Sequence, residues 1–169
     1  ADDMGLGKTV QVIAWLARRA EQKPTAPTLV VVPRSLVFNW LRELARFAPS
    51  LRVLDHAGLE RDERDAEFAG YDIVVTTYGI IRRDIDVLEK VRFDWVILDE
   101  SQAIKNSASQ NARAAFRLNC ERRLAMTGTP IENRAEELWS QFRFLNPGLL
   151  GKEQDFGRLA RNDETRPVL

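Results

Sequence analysis

The chain has 169 residues, of which 44% are hydrophobic, enough for one domain with a sizeable core. Its 25 basic and 25 acidic residues balance to a formal net charge of zero, which excludes general electrostatic attraction to a phosphate backbone and leaves only local contacts. The single cysteine, Cys120, excludes an internal disulfide, and no stretch resembles a signal peptide or a membrane span, so an intracellular, reducing compartment is expected: cytoplasmic in a prokaryote, nuclear in a eukaryote.

Short apolar runs alternate with amphipathic stretches along the chain, the pattern of strands joined through helices into a mostly parallel sheet. The first amphipathic stretch predicts a helix over Thr9 to Glu21. A connecting loop at Pro24-Thr25-Ala26-Pro27 leads to a strand over Thr28 to Val32. A helix over Ser35 to Phe47 follows, with Ser35 as its expected cap and Val37, Trp40, Leu41, Leu44 and Ala48 at helical spacing. Then come a strand from Leu51 to Asp55, a helix from Leu59 to Ala69, a strand from Asp72 to Thr76 and a helical segment from Tyr78 to Val91. Strands over Trp95 to Leu98 and Arg123 to Met126 flank a helix over Ser107 to Leu118. The last helix runs from Arg134 to Leu145 and ends at Asn146-Pro147-Gly148.

Chemistry concentrates at two places. Met4-Gly5-Leu6-Gly7-Lys8-Thr9 ends in Gly-Lys-Thr at the start of an apolar helix, where backbone amides and the helix N-terminus face a polyphosphate such as that of ATP. Gly5 and Gly7 allow close approach, Lys8 neutralises terminal phosphates, and the Thr9 hydroxyl is placed for a magnesium ion. The general pattern wants a glycine five positions before Gly7, where this chain has Asp2. Roughly ninety residues after the loop, the apolar run Phe93 to Leu98 ends in Asp99-Glu100, with Asp99 placed to hold magnesium through water and Glu100 to orient or deprotonate the attacking water. Since a phosphate loop normally follows a strand, a loop strand is expected upstream of residue 1, and the chain reads as a fragment.

In order and content these segments resemble the first lobe of the Swi/Snf-type ATPases of helicase superfamily two. Asp3 to Gln11 is similar to the family's first motif, in which aspartate at the diverged glycine position is ordinary. Thr28 to Pro49, containing Val32-Pro33-Arg34-Ser35-Leu36 and Asn39-Trp40, resembles the next, and Thr76-Thr77-Tyr78-Gly79 the one after. Asp99 to Asn106 is similar to the Asp-Glu box, with Ser101 where the family usually has alanine. Leu124 to Pro147, around Thr127-Gly128-Thr129-Pro130-Ile131-Glu132-Asn133, resembles the third motif. The resemblance implies a RecA-like, doubly wound α/β fold of the P-loop NTPase type with helices on both faces, its ATP-binding lobe covering residues 1–150. Residues 151–169 are left as a tail or the start of an inter-lobe region.

It further implies ATP hydrolysis coupled to translocation on double-stranded DNA and remodelling of protein–DNA complexes, with a second lobe supplying an arginine to the transition state. Gln102 with Thr127, Gly128 and Thr129 would couple nucleotide state to that lobe. Pro33, Arg34, Thr76, Thr77 and Lys105 would line the DNA groove. Rival readings are an RNA-directed or strand-separating helicase of the same superfamily, a P-loop small-molecule kinase, and a non-catalytic remnant. The other conspicuous residues are read as structural: Trp15, Trp40, Trp95 and Trp139 as core, Cys120 as a small buried apolar residue, Arg82-Arg83 as a surface pair, Glu60 to Glu67 as a solvated helix face, and His56 as neither ligand nor acid-base group.

Overall fold

The computed structural model describes residues 7–22, 26–58, 68–128 and 135–156. The predicted helix over Leu59 to Ala69 lies almost wholly outside the described residues, as do Met4, Gly5, Leu6, Thr129 and the end of the 151–169 tail; residues 68–70 form a short 3₁₀ turn.

Helix α1 (Lys8–Ala20) leads to strand β1 (Thr28–Val32) and helix α2 (Val37–Phe47). Strands β2 (Val53–Asp55) and β3 (Ile73–Thr77) precede two short helices, α3 (Tyr78–Arg83) and α4 (Ile85–Leu88). Strand β4 (Phe93–Leu98), helix α5 (Gln110–Arg117), strand β5 (Cys120–Ala125) and helix α6 (Ala135–Leu145) complete the order. The five strands form one sheet in the order β2-β3-β1-β4-β5, and every pairing is parallel.

All-parallel strands need both faces covered, and the central ones accordingly read as continuous apolar runs. All five residues of β1 are buried. Alternate side chains serve opposite layers. Val30, Val32, Ile73, Val75 and Ile97 pack under α1 and α2 with Ile13, Leu16, Trp40 and Leu44. Leu29, Val31, Val74, Val96 and Leu98 pack with Ile81, Leu88, Ala112, Ala115 and Phe144 from the helices of the other face. From β1 the chain moves to β2 and β3 on one side, then crosses to β4 and β5 on the other. The β1–β4 neighbourhood is therefore the topological switch point, where the crevice beyond the strand ends is available to a ligand.

Several boundaries differ from expectation for local reasons. Ser35 does not cap α2; it lies exposed within a 3₁₀ turn over Arg34–Leu36 that Pro33 initiates, Leu36 N–H donating to the Pro33 carbonyl at 2.9 Å. The segment from Tyr78 to Val91 breaks into two helices at Asp84. Helix α5 starts later than Ser107, because Asn106 turns the chain by accepting from the Ala108 amide at 2.9 Å, and Ser109 provides the cap by accepting from the Ala112 amide at 3.2 Å. β5 starts three residues earlier than its composition suggests, since Cys120 pairs with Phe93. Cys120 is half-buried, not buried. Trp15 is 36% exposed: Ile13 and Leu16 take the inward face of α1, leaving Trp15 on its flank, edge-on to Trp95 with ring centroids 4.8 Å apart. On α2 the buried Leu44 and the 74% exposed Phe38 mark opposite faces. Urea denaturation should therefore show Leu44→Ala costing about 2–5 kcal/mol, while Phe38→Ala stays within about 0.5 kcal/mol.

Candidate functional site

Because all strands run the same way, their carboxyl ends share one edge, and the chemistry-bearing residues follow directly from those ends. Gly7 precedes α1 with φ 72° and ψ 25°, the left-handed region in which a side chain is strained, and its carbonyl accepts from the Gln11 amide at 3.0 Å. The next two residues, Lys8 and Thr9, open a 13-residue helix, so the positive end of the helix dipole lies at this N-terminus.

Opposite them stands Asp99, only 6% exposed. Its Oδ2 accepts from the Trp40 indole N–H at 2.8 Å, and its Oδ1 from the Glu100 amide at 3.0 Å. The Asp99 backbone is held as firmly: its N–H donates to the Val31 carbonyl at 2.9 Å, and its carbonyl accepts from the Tyr78 hydroxyl at 2.8 Å. Burial pushes the Asp99 carboxyl above the usual carboxylate range; the two N–H donors and the Lys8 ammonium oppose that shift, and the neighbouring Glu100 charge adds to it. Burial beside Asp99 and Glu100 likewise raises the Tyr78 phenol well above its ordinary value, so that it stays a donor.

Glu100 is the single non-glycine among the described residues with positive φ, at 49°. A left-handed turn of this kind costs about 1–2 kcal/mol and persists where surrounding contacts over-determine it. Here the contacts are visible. The Gln102 side-chain NH₂ donates to Glu100 Oε2 at 2.8 Å, and the Gln102 side-chain oxygen accepts from the Thr127 hydroxyl at 3.0 Å. Beneath the turn, Ser101 N–H donates to the Met126 carbonyl at 2.8 Å, Gln141 Nε2 to the Ser101 carbonyl at 2.7 Å, and the Ser140 hydroxyl to the Ile104 carbonyl at 2.5 Å. Lys8, Asp99, Glu100, Gln102 and Thr127 are thus gathered as the sequence reading expects, with half-buried Gly128 next in line. Trp40, Tyr78, Ser140 and Gln141 are the supports it missed; a buried indole N–H that needs an acceptor was the available signal for Trp40.

The remaining predicted residues lie farther along the edge. Pro33 is half-buried and Arg34 exposed at the end of β1. Thr76 is fully buried and its hydroxyl donates to the His56 carbonyl at 3.1 Å, while Thr77 caps α3 by accepting from the Ile80 amide at 3.3 Å. Lys105 is exposed and reaches Glu137 at 3.6 Å.

No group of three or more His, Cys, Asp or Glu suited to a metal occurs among the described residues. A magnesium ion would fit one carboxylate and one hydroxyl and take its other oxygens from substrate and water, as this ion commonly does. Each Asp99 oxygen keeps a lone pair beyond its N–H bond, so the carboxylate could still ligate a metal.

Fold and site together define a RecA-like α/β lobe with its functional groups at the topological switch point. The SNF2-related domain profile matches residues 1–166, and the chain belongs to that family. It is 42% identical over 160 residues to the putative ATP-dependent helicase/translocase YwqA of Bacillus subtilis, covering 92% of this chain and 17% of that protein. To the chromatin-remodeling ATPase INO80 of Candida albicans it is 39% identical over 169 residues, covering 92% and 12%. Among solved structures, the Sulfolobus solfataricus SWI2/SNF2 ATPase core in complex with dsDNA superposes with TM-score 0.84 at 42% identity, covering 94% of this chain and 33% of that one. The chain therefore spans under a fifth of these two curated relatives and a third of that solved chain. Among the described residues no helix is long and apolar enough to cross a membrane.

Ser101, where the resembled family usually has alanine, is 1% exposed and its hydroxyl has no hydrogen-bond partner. A buried unsatisfied hydroxyl costs about 1–3 kcal/mol, so Ser101→Ala should raise the unfolding free energy in denaturant titrations by about 1 kcal/mol.

Proposed function

We propose that this chain forms the ATP-binding lobe, residues 1–150, of a DNA-dependent ATPase that couples ATP hydrolysis to translocation on double-stranded DNA and to remodelling of protein–DNA complexes. The observation that carries the reading is the meeting, at one sheet edge, of the α1 N-terminus with the Asp99-Glu100 turn and the Glu100–Gln102–Thr127 chain of hydrogen bonds. The names of the relatives, an ATP-dependent helicase/translocase and a chromatin-remodeling ATPase, and the DNA-bound solved core support it.

In this reading the amides of residues 4–9 and the Lys8 ammonium bind the phosphates of ATP, excluding the water that would otherwise screen them. Thr9 and Asp99 would hold magnesium, which when bound neutralises charge on the terminal phosphates. Glu100, placed by its left-handed backbone and by Gln102, orients the attacking water and takes its proton. Gln102, Thr127, Gly128 and Thr129 report the nucleotide state to a second lobe of the same polypeptide, which also contributes an arginine to the transition state. Pro33, Arg34 and Lys105 present the strand-end surface to the DNA backbone, with Thr76 and Thr77 fixing that edge from beneath. Residues 151–169 belong to a tail or to the start of the inter-lobe region, and the protein works inside the cell, in the cytoplasm or the nucleus.

Binding and chemistry are separable in this arrangement. In the full-length protein, Lys8→Ala should weaken ATP binding, because it removes ground-state charge. Glu100→Gln should leave ATP affinity within about threefold of wild type and lower kcat by about 10²–10⁴. Equilibrium nucleotide binding alongside steady-state turnover checks both; near-normal turnover of Glu100→Gln would remove Glu100 from the role of base.

A further inference from the structure

Asp99 is gripped by two aromatic residues, neither of which the reading above employs. Trp40 lies 59 residues away in sequence and Tyr78 lies 21 away, and they arrive from opposite layers of the fold. Trp40 belongs to the cluster beneath α1 and α2, Tyr78 to the cluster on the other face. Both rings are buried, so their polar atoms are aimed by packing. An indole has a single N–H, and that of Trp40 is committed to Asp99 Oδ2 at 2.8 Å. With Oδ1 on the Glu100 amide, the two bonds fix the plane of the carboxylate. The Tyr78 hydroxyl, on the Asp99 carbonyl at 2.8 Å, fixes the peptide that carries it.

Both residues follow closely on strand ends at the same edge. Trp40 sits near the start of α2, which continues from the Pro33-Arg34 turn at the end of β1. Tyr78 is the first residue of α3, immediately after Thr77 at the end of β3. A small shift of either strand end is therefore carried by a rigid ring to Asp99, without passing through the sheet.

We propose that Trp40 and Tyr78 are positioning residues that set the carboxylate and the peptide of Asp99, and that through them the ends of β1 and β3 govern how Asp99 meets a metal–nucleotide. The inference rests on the ATPase reading given above. It treats Trp40 as more than a core ring, and it makes the indole N–H separable from the packing that surrounds it.

Trp40→Phe keeps a buried ring and removes the N–H, and Tyr78→Phe removes only the hydroxyl. In the full-length protein, binding of Mn²⁺ in the presence of ADP is read by electron paramagnetic resonance, together with kcat and KM for ATP at saturating duplex DNA. Trp40→Phe should weaken Mn²⁺ binding about tenfold, the effect of losing one charge-assisted hydrogen bond, and lower kcat comparably. KM should stay within about threefold, since the phosphate-binding loop is untouched. In an Asp99→Asn background, Trp40→Phe should add nothing to the loss of Mn²⁺ affinity, because the two act as a unit. Unchanged Mn²⁺ affinity and kcat in Trp40→Phe, or losses that add to those of Asp99→Asn, would overturn the proposal. Should Trp40→Phe fail to fold, Tyr78→Phe decides by the same readouts, a reduced kcat at near-normal KM supporting the proposal and wild-type values overturning it. Asp99→Asn separates the two levels of the argument. If it leaves metal binding and hydrolysis intact, the metal role that the ATPase reading gives to Asp99 falls; if it removes them while Trp40→Phe is silent, only the positioning role falls.

Discussion

The site depends on the parallel register at the centre of the sheet. Leu98 of β4 lies opposite Val31 of β1 and Ala125 of β5, so the residues that follow, Asp99, Val32 and Met126, emerge at one level, with Pro33 one residue further on. The hydrogen-bond ladder does not stop where the strands end. The Asp99 N–H donates to Val31, Met126 to Leu98 and Ser101 to Met126, and at the far side His56 donates to Val75. The Asp-Glu turn is thus a continuation of the sheet into the loops. This explains how a non-glycine residue at φ 49° is kept in place: the ladder on one side and the α6 side chains Ser140 and Gln141 on the other leave the backbone no relaxed alternative.

Electrostatics at the edge follow from the same geometry. A carboxylate as buried as Asp99 is stable only with donors and compensating charge nearby; the donors are an indole and an amide, and the charge is the ammonium of Lys8. The arrangement is polarised across the sheet. Asp99 and Glu100 stand at the end of β4, and exposed Arg34 stands just beyond the end of β1, next in strand order. A neutral chain can in this way present a locally basic strand end beside an acidic one.

Much of this was legible in the sequence, and the failures are informative. β1 was read to the residue, because Thr28 and the unbroken apolar run Leu29 to Val32 lie between Pro27 and Pro33 and are buried. α2 was legible from its period, apart from a first turn that proline diverts into a 3₁₀ form. β5 was read short because Cys120-Glu121-Arg122-Arg123 lacks a strand's composition, and pairing with β4, not propensity, makes it one. Lys8, Asp99 and Glu100 stood out by residue type, and Gln102 and Thr127 only through the family resemblance; hydrogen bonds link Glu100, Gln102 and Thr127. The supports were not, because Trp40, Tyr78, Ser140 and Gln141 act across 21 to 59 residues and look, in sequence, like ordinary members of helices.

The proposed function has this edge couple nucleotide chemistry to contact with duplex DNA. The direct measurement is the ATP turnover of the full-length protein with magnesium, compared across duplex DNA, single-stranded DNA, RNA and no nucleic acid. A low basal rate is expected, with strong stimulation by duplex DNA that Lys8→Ala abolishes and weak stimulation by single strands and RNA. Equal or greater stimulation by RNA, or turnover indifferent to nucleic acid, would contradict it.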